Sequence, residues 1–195
     1  MEETKRKVSK DIIEKHVKDI MELIGIEMTP STEGTPRRVA KMFVDEIFSS
    51  VGNNNIEELD NKMKVFPLDG INNKELIIVK DVPFYSTCEH HLMPFSGKIS
   101  IGYVPSDCII GLSKIPRVVK YFSKKPQVQE RLIEEIIDYL DNRLHPEAIF
   151  VYAFDTTHTC VTARGIETYC STDTLTSRGN KVNKYKNQFL KMINK

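Results

Sequence analysis

Two short clusters of thiols and imidazoles, about seventy residues apart, constrain this chain more than any other feature: Cys88-Glu89-His90-His91 and His158-Thr159-Cys160. If both serve one centre, the fold must bring distant stretches of backbone to a single point. Cys88 and His91 stand at a Cys-x-x-His spacing, which lets one tight turn aim both at that point. His158 and Cys160 are two apart, so on an extended strand they face the same side. Thiolate and imidazole together favour zinc over magnesium or calcium, which prefer oxygen. The preferred ligand set is Cys88, His91 and Cys160, with His90 and His158 free for proton transfer. Three protein ligands mark a catalytic zinc and four a structural one. Spacing alone leaves that choice open. A Cys88–Cys160 disulfide is the competing reading, but the opening MEETKRKVSK has no apolar core of a secretory leader. A reducing cytoplasm is therefore expected. Cys108 and Cys170 lack ligand-like neighbours and read as packing residues.

At 195 residues, the chain can bury a substantial core, and one domain with an appendage is the simplest count. The formal net charge is only +1, so the global balance points to neither nucleic acid nor a membrane surface. Residues 113–125 (SKIPRVVKYFSKK) and 178–195 are basic and free of acid. Such a cluster beside a metal could attract an anionic substrate. Interleaved aromatics are lacking beyond Tyr121-Phe122, which argues against nucleic-acid binding. No apolar run approaches a membrane span.

Apolar residues recur at helical spacing from Ser9 to Ile26, and Thr35-Pro36 reads as a cap and first turn of a second helix ending near Phe48. The polar SSVGNNN that follows reads as loop. Strand character marks 63–66, 76–79, 98–104, 149–154 and 166–176. Ser113 could cap a helix through Phe122, Pro126 opens a longer one, and a short helix spans 185–193. The order predicts an α+β domain with an antiparallel sheet. The expected division is a helical region over 1–50 and a catalytic domain over 51–195.

The segments STCEHH (86–91), GLSKIPR (111–117), PQVQERL (126–132) and HTCVTARG (158–165) resemble GTP cyclohydrolase I, as do TPRRVAKMFVDEIF (35–48) and NKMKV (61–65). The resemblance implies the tunnelling fold, an antiparallel sheet with helices on one face, assembled into a barrel. It implies a zinc enzyme that converts GTP and water to formate and 7,8-dihydroneopterin triphosphate, the entry to pterins and folates. It also implies a homodecamer of two pentameric rings with active sites at subunit boundaries.

By that resemblance the zinc ligands again fall on Cys88, His91 and Cys160. Zinc lowers the pKa of its water to ~7, suiting attack on guanine C8. His90 and His158 match the two non-ligand histidines, with His158 the preferred proton donor to the purine. Gln129-Glu130 match the guanine-reading pair; a carboxylate accepts from both N1–H and the 2-amino group. Lys114, Arg117 and Arg164 match phosphate-binding positions, and Arg38 one contributed by a neighbouring subunit. Ser113 matches a substrate-contacting serine. A pterin synthase of the same fold would want three histidines on zinc, and a non-catalytic scaffold would have no need of the spare histidines.

Overall fold

The computed structural model describes residues 2–52, 56–70 and 74–193, in two compact units, Met1–Val51 and Gly52–Lys195. In the first, α1 spans Glu2–Leu23 and α2 spans Thr35–Lys41, followed by a π-helical turn over Met42–Ile47. Helix α1 stops short of Ile26 because Gly25, at φ 82, terminates it. The Ile26 N–H then closes back on the Met21 carbonyl at 2.8 Å. The expected Thr35 cap is displaced: Gly34 is the cap residue, and the Thr35 hydroxyl instead accepts from Arg38 at 2.8 Å. Lys10 pairs with Asp45 at 3.1 Å, tying α1 to the π turn.

The second unit begins with α3 (Ile56–Lys62), beyond SSVGNNN, of which residues 53–55 lie outside the described residues. Its strands are β1 (Val65–Pro67), β2 (Ile77–Cys88), β3 (Pro94–Val104), β4 (Cys108–Ile110), β5 (Pro126–Gln127), β6 (Ala148–His158) and β7 (Thr172–Arg178). Helices α4 (Lys114–Ser123), α5 (Gln129–Leu144), α6 (Thr159–Thr162) and α7 (Val182–Ile193) complete it. β1 and β4 form a small ribbon, and the main sheet runs β5-β2-β3-β6-β7. Every main-sheet pairing is antiparallel except β5 with β2, two residues long. The α+β expectation is met.

Helices α4 and α5 cover one face. Ile115, Val118, Val119, Leu132, Ile136 and Leu140, all fully buried, pack over Ile99, Ile101, Ile149 and Val151. Each such side chain contributes ~1.5–3 kcal/mol through removal from water. The C-terminal α7 lies on the opposite face, where Phe189 stacks on Phe150 with centroids 4.9 Å apart. Gly102 makes room for it, since a Cβ there would sit 2.7 Å from Phe189 Cδ2.

Two bulges set which side chains reach the helix-covered face. In β2, Lys80 and Asp81 together oppose Ser100, with Val79 paired to Ile101 and Val82 to Ile99. In β6, Asp155 and Thr156 oppose Gly97, with Phe154 paired to Lys98 and Thr157 to Ser96. Asp81 and Asp155 take the left-handed region at φ 58 and 51, which aspartate tolerates better than branched residues. Each extra residue inverts the alternation, because side chains switch faces with period two. Ile149, Val151 and Ala153 face α4 and α5 before the β6 bulge, and buried Thr156 and half-buried His158 follow in the opposite phase. Cys88 likewise joins the helix-covered core after the β2 bulge.

Pro126 does not open a helix; it pairs with Thr87 in β5, and Val128 stays extended at φ −112, ψ 151 before α5 begins. The Gln127 side chain holds this edge by donating to the Phe122 carbonyl at 3.2 Å and to Glu135 at 2.6 Å. Ser113 occupies the cap position of α4 without a capping side-chain bond.

Candidate active site

The β2–β3 connection is a tight loop. The Cys88 N–H donates to the Met93 carbonyl at 2.8 Å, and the Leu92 N–H returns to the Cys88 carbonyl at 2.9 Å. The Glu89 N–H donates to the Gln127 carbonyl at 3.0 Å, pinning the loop to β5. Cys88 is 5% exposed, whereas His90 and His91 lie at the surface. His158 ends β6 opposite Phe95, and its ring lies flat on that phenyl at 4.6 Å and 5°. Cys160 is not on the strand with His158. The chain turns into α6 at Thr159, whose hydroxyl donates to the Pro94 carbonyl at 2.6 Å. That turn separates the two side chains: His158 meets Gln129, and Cys160 meets Cys88.

Cys88 and Cys160 are free thiols, and Cys160 packs against the buried core to which Cys88 belongs. Burial first, then Cys88 beside it, pushes the Cys160 thiol up. The His90 Nδ1 stands 3.7 Å from Cys88 Sγ. The His91 Nε2 stands 2.9 Å from an Arg164 guanidinium nitrogen. Among the described residues no three His, Cys, Asp or Glu side chains converge on an ion position. The donor set nevertheless fits a soft dication. Two adjacent thiols supply the sulfur, and arginine can only donate. His91 Nε2 must therefore present its lone pair to a cationic group.

His158 is half-buried, and burial lowers its basicity, partly offset by the Glu130 carboxylate. Gln129 is 2% exposed, and its amide nitrogen donates to the Thr172 carbonyl at 3.1 Å and the Thr174 hydroxyl at 3.0 Å. Its carbonyl oxygen lies 2.9 Å from His158 Nε2. Glu130 is exposed one residue on. Exposed Ser113 and Arg117 and half-exposed Lys114 stand at the start of α4, the two cations without a carboxylate partner among the described residues. Arg38, in the first unit, bonds the Ser31 carbonyl at 3.2 Å as well as Thr35.

Glu89 and Arg131 escaped the sequence reading, although opposite charges within CEHH and QER were visible. Arg131 holds Glu89 through bonds of 2.6 and 2.9 Å and keeps its carboxyl below the usual range. Phe95, Thr172 and Thr174 carried no signal, because their parts depend on register.

Free thiols with histidines close by, on an α+β scaffold, define a protein with a Cys/His centre. The model of the family GTP cyclohydrolase I matches residues 13–194, and the chain belongs to that family. The GTP cyclohydrolase 1 of Vibrio cholerae is 42% identical over 174 residues, 87% of this chain and 76% of the relative. That of Serratia proteamaculans is 42% identical over 178 residues, 89% and 76% of the two chains. Among solved structures, the archaeosine synthase QueF-Like in its apo form aligns with a TM-score of 0.46 and 14% identity, over 56% of this chain and 98% of that one. Among the described residues no helix is long and apolar enough to cross a membrane.

Proposed function

We propose that this chain converts GTP and water to formate and 7,8-dihydroneopterin triphosphate, the first step of pterin and folate synthesis, with zinc held by Cys88, His91 and Cys160. The observation that carries the reading is the approach of the Cys160 thiol, on α6, to Cys88 at the end of β2. Zinc held there supplies Lewis acidity and lowers the pKa of water to about 7. His158, clamped by Phe95 and Gln129, moves protons at the purine, with His90 as its partner. Glu130 takes the guanine edge through N1–H and the 2-amino group, beside Gln129, whose side chain is engaged within the protein. Ser113, Lys114 and Arg117 at the start of α4, with Arg164, receive the triphosphate.

Arg38 of a neighbouring copy completes that anion site in a homodecamer of two pentameric barrels. Exposed Leu112, Ile166 and Tyr169, at 67%, 80% and 80%, favour burial between copies. The four unpaired cysteines suit a reducing cytoplasm. The helical region is assigned to 1–50 and the catalytic domain to 51–195. The test is metal analysis and a GTP-to-formate assay on one sample. Zinc and formate are expected together, and Cys88→Ser or Cys160→Ser should remove both. A zinc-replete protein that releases no formate would overturn the reading.

A further inference from the structure

Gln129 stands in a motif read as a guanine contact, yet its side chain is closed to any ligand: it is 2% exposed and every polar atom is engaged. Its orientation follows from its partners. The Thr172 carbonyl can only accept, so the amide nitrogen must face it, and Thr174 takes the second hydrogen. The carbonyl oxygen is left facing His158, 2.9 Å from Nε2. An amide oxygen can only accept, so Nε2 must carry hydrogen. Phe95, stacked at 4.6 Å and 5°, fixes the ring plane. His158 Nδ1 has no protein partner among the described residues.

We propose that Gln129 is a positioning residue: anchored on β7, it keeps hydrogen on His158 Nε2, so Nδ1 bears the lone pair that takes up a proton from solvent and then passes it to the nucleotide. This rests on the cyclohydrolase reading for the reaction, whereas the tautomer stands on geometry alone. A wrong tautomer or a swivelled ring would leave a fixed N–H at that atom, which could not first take up the proton it must deliver. Specificity for guanine then falls to Glu130, and Gln129 governs the chemical step.

The test has two readouts on the full chain with its metal. Imidazole nitrogen NMR of histidine-labelled protein without GTP, with the His158 signal assigned by its loss in His158→Asn, reports the tautomer. Protonated Nε2 and unprotonated Nδ1 are expected; hydrogen on Nδ1 alone overturns the proposal. Gln129→Met keeps the shape and removes the amide. It should mix the tautomers and lower kcat tenfold or more, within the ~10²–10⁴-fold worth of an acid–base step. KM for GTP should stay within about twofold. In a His158→Ala background the same change should cost nothing further. A raised KM with unchanged kcat, or an additive loss in that background, overturns it. If Gln129→Met fails to fold, the native tautomer decides. If GTP yields no formate while Nε2–H is observed, the reaction assignment has failed and the Gln129–His158 geometry has not.

Discussion

Arg131 grips Glu89 with both arms of its guanidinium, at 2.6 and 2.9 Å, and so ties the CEHH loop to the first turn of α5. The loop bears Cys88 and His91, and the helix bears Gln129 and Glu130. One ion pair therefore spaces the proposed metal ligands from the proposed guanine reader.

Arg131→Lys keeps the charge and loses the fork. Because the pair is surface-exposed, the thermal midpoint should hardly move. Catalysis should suffer instead, by about tenfold in kcat/KM, since small misplacements are costly in a reacting geometry. Steady-state kinetics beside a melting curve checks this; equal losses in both would show a merely structural pair.

Gly97→Ala attacks the β6 bulge. A Cβ there would lie 2.7 Å from Thr156 Oγ1, 2.8 Å from the Phe154 carbonyl and 2.9 Å from Thr156 Cα. Two of those atoms are backbone and cannot swing aside. A loss of about 1–3 kcal/mol is expected in urea unfolding. Formate release should fall out of proportion, because the opened bulge moves His158 off Phe95.

Asp60 accepts from Arg143 and, at 2.7 Å, from the Tyr139 hydroxyl. The Arg143 bond chiefly holds its carboxyl below the usual range. The stabilisation is therefore complete above the unfolded value of about 3.9 and lost as pH falls through the lower folded value. Both side chains are about one-third exposed, so screening trims the gain to ~0.5–1 kcal/mol. Asp60→Asn should cost that much at pH 7, and the gap should close as the pH is taken well below the usual carboxylate range; denaturant midpoints at neutral and acid pH decide.

Phe189→Ala should cost roughly 3–5 kcal/mol, since a fully buried ring stacked on Phe150 leaves a cavity beneath α7. Measured at a temperature where the variant stays folded, zinc content should be unchanged, because α7 lies on the face opposite Cys88.

Helices α4 and α5 were legible because their apolar residues repeat at helical spacing, and β3 because its alternation over 98–104 is clean. The far halves of β2 and β6 were not. Alternation breaks at Asp81 and Asp155, and Pro83 disguises strand pairing with Lys98. Proline is tolerated there because β5 reaches only Thr87 and Cys88. The chemical types at the site could be read from Cys88, His91 and Cys160. The turn of His91 toward Arg164, 73 residues away, could not. Nor could the capture of Gln129 by Thr172 and Thr174 on β7, 43 and 45 residues downstream.

The odd residues in β2 and β6 make the site a matter of counting as much as of chemistry. Losing one residue at Asp81 or Asp155 would leave every motif spelled correctly and turn Cys88 or His158 to the wrong side of the sheet. A relative with intact signatures but a strand one residue shorter would then be silent toward GTP, and spelling alone would never reveal why.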